Sequence, residues 1–135
     1  MDDSIAVATA TIGQETYRTE LRARQHSITG DEPPEVGGTD LGPRPGDFLR
    51  MSLASCTAIT LRMYANRKQM DVKQIEVTVS NDSTTDKTIL QTGIKITGNI
   101  TEEERARLMQ IAKKCPVHKV LSNPIEIEHE VIVDS

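Results

Sequence analysis

Pro45-Gly46-Asp47-Phe48-Leu49-Arg50-Met51-Ser52-Leu53-Ala54-Ser55-Cys56-Thr57-Ala58-Ile59-Thr60-Leu61-Arg62-Met63-Tyr64-Ala65-Asn66-Arg67-Lys68 decides how the rest of the chain must fold. Phe48, Leu49, Leu53, Cys56, Ile59, Thr60 and Met63 recur at helical spacing, and no Gly or Pro interrupts them, so one long helix is predicted from Pro45 to about Lys68. Met51 to Leu61 contains no charged residue. Three turns without charge leave the helix apolar on nearly every side, and a small domain can hardly surround it alone. A second copy of the chain is the economical cover, so a homodimer is the expected assembly.

Upstream of the helix, five of the eight glycines and four of the six prolines fall between Gly30 and Gly46, which predicts a long structured loop. Before that loop, Ile5 to Ile12 is rich in Ala, Val, Thr and Ile. Tyr17, Thr19, Leu21 and Ala23 then alternate with Arg18, Glu20, Arg22 and Arg24. These read as two strands turning near Gly13. Downstream, Ile75, Val77 and Val79, then Leu90, Thr92, Ile94, Ile96 and Ile100, give two more strands joined by the polar stretch Asn81 to Lys87. Thr101-Glu102-Glu103-Glu104 is a capping-box signature opening a second helix, with Leu108, Ile111, Ala112 and Cys115 as its apolar stripe. Pro116 ends that helix and suits the first position of a short one to Leu121. A last strand is expected with Ile125, Ile127, Val131 and Val133 on one face.

With 135 residues and no dividing linker, one domain over residues 1–135 is expected. Hydrophobic residues make up 36% and charged residues 27%, which suits a folded chain and is too polar for a membrane protein. Met1-Asp2-Asp3-Ser4 opens acidic, unlike a secretory signal, so the cytoplasm is the expected compartment. Sixteen Lys and Arg against twenty Asp and Glu give a net charge of −4, which argues against nucleic acid as a partner. Trp is absent and Tyr17, Tyr64 and Phe48 are the only aromatics, so base-stacking platforms are missing as well.

Chemistry rests on two cysteines, Cys56 and Cys115. Without an export signal they are core residues or redox residues, not a secreted disulfide framework. Cys115 precedes Pro116 and caps the short helix, where free amides favour a thiolate, and Lys113, Lys114, His118 and Lys119 lie close in sequence. Cys56 sits mid-helix, where loss of water raises a thiol's pKa, and its activation would need a cation brought in by the fold. Local physics therefore ranks Cys115 as the more reactive thiol. Cys115-Pro-Val-His118 looks like half of a zinc site, but no second closely spaced ligand pair completes it with Cys56 and His26. Gly37-Gly38 lacks the pattern of a phosphate loop, and Glu102 to Glu104 is explained by charge at a helix N-terminus.

Asp31-Glu32-Pro33, the run Gly37 to Pro43, Leu53-Ala54-Ser55-Cys56-Thr57-Ala58-Ile59-Thr60, Leu61 to Ala65, and Lys114-Cys115-Pro116-Val117-His118 together resemble the OsmC and organic hydroperoxide resistance superfamily. Asp-Glu-Pro and Cys-Pro-Val-His look most like its broad OsmC-like redox branch. The resemblance implies an α+β fold in which antiparallel sheets wrap long central helices of an intertwined homodimer, with two sites at the subunit interface. It implies that Cys56 attacks a hydroperoxide and that Cys115 resolves the sulfenic acid to a disulfide. An external dithiol then reduces the disulfide, and no cofactor or metal is called for. The order of the thiols is thus opposite to the local ranking. Hydroperoxide-resistance members carry a glutamate directly after the proline ten positions before the first cysteine. Gly46 holds that place here, with Asp47 the nearest acid. Arg18, Arg24 and Arg44 are all candidates for the peroxide-side arginine. Two other functions compete: a thiol-redox protein of the same fold without peroxidase activity, and a binding or stress protein whose cysteines are structural.

Overall fold

The computed structural model describes residues 6–82 and 86–134, so the acidic amino terminus, Ile5 and the middle of the Asn81 to Lys87 connection lie outside the described residues. The chain forms two compact units that meet in sequence between Leu49 and Arg50. It combines α-helices with antiparallel sheets, as expected, and none of the described helices is long and apolar enough to cross a membrane.

The first unit holds a three-stranded antiparallel sheet in the order β1 (Thr9–Ile12), β2 (Thr19–Ala23), β3 (His26–Gly30). Ile12 pairs with Thr19, so the first hairpin turns just after Gly13 as read from sequence. The third strand was not expected. Ala23 pairs with His26, leaving a two-residue turn, Arg24-Gln25, in which Arg24 takes a φ of 54°. Such a turn normally advertises itself with Gly or Asn, and here neither is present.

The loop that follows is built around Asp31, a carboxylate only 2% exposed. Its oxygens accept from Glu32 N at 2.7 Å, Thr39 Oγ1 at 2.8 Å and Leu41 N at 3.1 Å. One side chain thereby satisfies amides across ten residues of irregular backbone, which would otherwise be costly to order. Gly38 and Gly42 are required by close approach: a Cβ on Gly38 would lie 1.9 Å from Glu32 O, and one on Gly42 would lie 2.1 Å from Thr29 O. Burial alone would raise the Asp31 pKa, but the hydrogen bonds from Leu41, Glu32 and Thr39 outweigh it and hold the carboxyl below its ordinary value. A depressed carboxyl stabilises the fold above its unfolded value of about 3.9, and that contribution fades as pH falls through the folded value. Asp31→Asn is therefore expected to unfold at lower temperature than wild type at pH 7, with a smaller further drop below about pH 4. Thermal melts at pH 7 and pH 3 check this, and parallel acid losses in the two proteins would contradict it.

The long helix α1 (Pro45–Arg67) starts in the first unit and matches the predicted span closely. Leu53, Thr57, Leu61 and Ala65 recur every four residues along its buried stripe, while Met51, Ser55, Ile59 and Met63 form an exposed stripe. In the second unit, β4 (Asp71–Asp82) and β5 (Ile89–Asn99) make a long antiparallel hairpin with a bulge at Val72/Gln74. The capping box opens α2 (Glu102–Ala112): Thr101 Oγ1 accepts from Glu104 N at 3.1 Å, and Glu104 Oε1 accepts from Thr101 N at 2.9 Å. Leu61 and Tyr64 of α1 meet Leu108 and Ile111 of α2 in the core, with Ile75, Ile94 and Ile96 of the hairpin packed against them. A short helix, α3 (Pro116–Ser122), follows.

The expected last strand is not formed. Residues 123–134 have no regular structure, and Ile127 and Val131 are 74% and 86% exposed. The alternating pattern is present, but a strand exists only where a neighbouring strand accepts its ladder, and none lies alongside this segment among the described residues.

Candidate functional site

Within the second unit, Cys56 and Cys115 are brought together. Both thiols are free, Cys56 half-buried and Cys115 fully buried, and they lie close enough for each to act on the other's acidity. Cys56 is placed by α1, next to the buried stripe that Thr57 and Leu61 anchor. Cys115 is placed by Pro116, whose ring favours the first helical position and has no N–H. The first free amides of α3 are therefore those of Val117 and His118, and Cys115 is the residue they cap onto. His118 N donates to Cys115 Sγ at 3.5 Å. The Val117 amide lowers the pKa of both thiols.

Two threonines complete the surroundings. The Thr57 hydroxyl favours the thiolate of Cys115, and the Thr60 hydroxyl favours that of Cys56. Thr57 is 3% exposed, so its hydroxyl is committed to the interior. Sequence reading missed both threonines as site residues and looked for a cation instead. Their positions one and four residues after Cys56, on adjoining helix faces, were the available signal.

The two thiols are driven apart electrostatically. Burial pushes the Cys56 thiol up, and the hydrogen bond with Cys115 adds to this, against smaller opposite effects of Val117 N–H and the Thr60 hydroxyl. Burial also acts upward on Cys115, but the hydrogen bonds from Cys56, from the His118 and Val117 amides and from Thr57 outweigh it and lower that thiol. The local ranking of the thiols from sequence has the same direction. The less acidic sulfur is, however, the more accessible one.

Asp47 belongs to the first unit. Its Oδ2 accepts from Arg44 N at 3.0 Å, the reach of a third-position acid back to a helix cap. Arg44 donates its Nε to Glu32 Oε1 at 2.9 Å, and Arg18 lies 3.9 Å from Glu15. Arg24 occupies the β2–β3 turn. His118 meets Cys115 through its backbone, and its ring Nδ1 lies 3.5 Å from Ser122 Oγ.

A family model described as OsmC-like protein matches residues 38–130. No curated protein matches the chain. Among solved structures, the chain is similar to an OsmC-like protein from Mycoplasma pneumoniae, with a TM-score of 0.74, 21% identity, and 89% of each chain covered. An organic hydroperoxide resistance protein OsmC from Legionella pneumophila gives a TM-score of 0.62 at 22% identity, covering 90% of this chain and 92% of that one. An organic hydroperoxide resistance protein from Elizabethkingia anophelis gives 0.65 at 20% identity, covering 90% and 91%. At these identities the structural likeness speaks to the fold.

Proposed function

Because the chain belongs to the OsmC-like protein family, we propose that it is a thiol-dependent peroxidase that reduces organic hydroperoxides or hydrogen peroxide through Cys56 and Cys115. The single observation that carries this reading is that two free thiols from distant parts of the sequence are neighbours, each acting on the other's acidity. Cys56, the accessible sulfur, attacks the peroxide and becomes a sulfenic acid, and Cys115, already beside it, closes a disulfide with loss of water. A dithiol then restores both thiols. The cytoplasm, where free thiols persist, is the fitting compartment. Structural neighbours named for organic hydroperoxide resistance support the substrate class by analogy of fold. Titrating thiols before and after one equivalent of cumene hydroperoxide tests the reading: both thiols of each chain should disappear, and dithiothreitol should sustain turnover. Two intact thiols after exposure would overturn it. Loss of thiols without turnover would favour a redox protein that is not a peroxidase.

Asp47 stands in this reading as the acid replacing the glutamate absent at Gly46. Asp47→Asn is expected to lower turnover with the fold intact. A lower melting temperature with unchanged turnover would make the carboxylate a cap of α1 alone.

The homodimer is part of the same proposal. Met51, Ile59 and Met63 on the exposed stripe of α1, and the uncovered Ile125, Ile127, Val131 and Val133, are apolar surface that a second copy would bury. Light scattering at micromolar concentration is expected to give twice the 14.9 kDa chain mass. Ala58→Asp should dissociate or unfold the dimer, because an unpaired charge is costly on a covered face.

A further inference from the structure

Tyr64 of α1 is buried, and three cations gather round its ring. The Arg67 guanidinium carbon lies 5.3 Å from the ring centroid, Lys68 Nζ 5.9 Å and the Arg107 guanidinium carbon 5.7 Å. Arg107 Nε also donates to the Tyr64 hydroxyl at 3.0 Å. All four residues belong to the second unit. None of the three cations forms an ion pair among the described residues, in a chain whose net charge is −4.

Local helix chemistry explains only part of this gathering. Arg67 is in the last turn of α1 and Lys68 follows it, where positive charge complements the helix dipole. Arg107 stands midway along α2, where the dipole gives no such reason. Acids three and four positions before an arginine are its ordinary partners on a helix, as Glu102 is for Arg105 at 3.7 Å. Arg107 has Glu104 and Glu103 at those positions. Glu104 Oε1 is engaged by Thr101 N, and Arg107 bonds Tyr64 instead, within the field of two like charges. Attraction of a cation to an aromatic face is small at exposed sites, and here one ring is shared three ways.

We infer that Arg67, Lys68 and Arg107 form an anion site backed by Tyr64, and that its ligand is a small phosphate-bearing molecule. Two guanidiniums and an ammonium suit a group carrying close to two negative charges, and forked N–H donors match its oxygens. Arg107 is already oriented: its Nε is fixed on Tyr64, and its Nη1 lies 3.5 Å from Gln110 Oε1. Less side-chain freedom is therefore lost on binding. The positive potential is felt by the phenol itself. The Arg107 hydrogen bond, with the charges of Arg107, Lys68 and Arg67, outweighs burial and holds Tyr64 below its ordinary value. The site does not depend on the chemistry of the cysteine pair, and its test uses no peroxide.

Phosphate titration of the full chain at constant ionic strength and near-neutral pH, followed by the nitrogen–proton NMR signals of the arginine Nε groups, tests the inference. The Arg107 Nε signal is expected to shift to saturation, with half of the effect at about 1 mM or below. Acetate at the same ionic strength should leave it nearly in place. O-phosphoserine, which carries the same group on a larger body, should produce the same shift, and the tighter of the two phosphates tells a free anion from a carried one. Arg67→Gln and Lys68→Gln, both at exposed positions, should each weaken binding by about tenfold while melting close to wild type. Both variants keep the Arg107 reporter, and either serves alone if the other does not fold. A shift that never saturates, that acetate reproduces, or that survives both substitutions unchanged would overturn the inference.

Discussion

Leu61→Ala is expected to cost about 3–5 kcal/mol of stability and to lower the melting temperature by about 10 °C or more. Leu61 is fully buried on α1, where it meets Tyr64, Leu108 and Ile111, and it contributes to the only core that ties α1 to α2 and the β4–β5 hairpin among the described residues of the second unit. Removing three carbons there leaves a cavity with rigid helix on two sides, so little relaxation offsets the loss. Because domains of this size are stable by only about 5–15 kcal/mol, the variant should stand near its unfolding threshold at physiological temperature. Urea or thermal denaturation followed by circular dichroism measures the effect. A cost under about 1 kcal/mol would mean that α1 is held in place by something other than this packing.

Cys56→Ser is expected to reduce peroxide turnover by at least about 1000-fold, since a serine hydroxyl does not reduce an O–O bond at neutral pH and Cys115 is shielded from solvent. The same variant should melt within about 1 kcal/mol of wild type, because Cys56 is half-buried and serine keeps its shape. Steady-state assays with cumene hydroperoxide and dithiothreitol separate the two effects. Turnover retained in Cys56→Ser would transfer the first attack to Cys115, the thiol that its amide donors make the more acidic.

Much of this arrangement is legible in the sequence, for reasons that differ from element to element. The span of α1 could be read because its apolar spacing is continuous from Phe48 to Met63 and Pro45 marks its start. The capping box at Thr101 is local chemistry within four residues and reads directly. Cys115 as a helix cap also reads directly, because Pro116 dictates which amides are left free. What could not be read depends on partners far along the chain. β3 was hidden because Arg24-Gln25 turns without glycine, which only the pairing with β2 reveals. The last strand was expected because alternation at Ile125 to Val133 is real, but alternation reports a face and says nothing of what covers it. The burial of Asp31, which organises the loop from Glu32 to Leu41, is invisible in a composition of Gly, Pro and acids. Sequence reading sought a cation for Cys56, whereas the groups that reach the two sulfurs from α1 and α3 are hydroxyls and backbone amides.

In the proposed peroxidase, Cys56 and Cys115 form one redox site within one chain. Wild-type protein should be treated with one equivalent of cumene hydroperoxide, run on a non-reducing gel and digested for mass spectrometry without reduction. The expected result is a single species at the mass of one chain containing a Cys56-to-Cys115 disulfide peptide. A disulfide-linked pair of chains, or sulfinic acid at Cys56 with Cys115 still reduced, would contradict it.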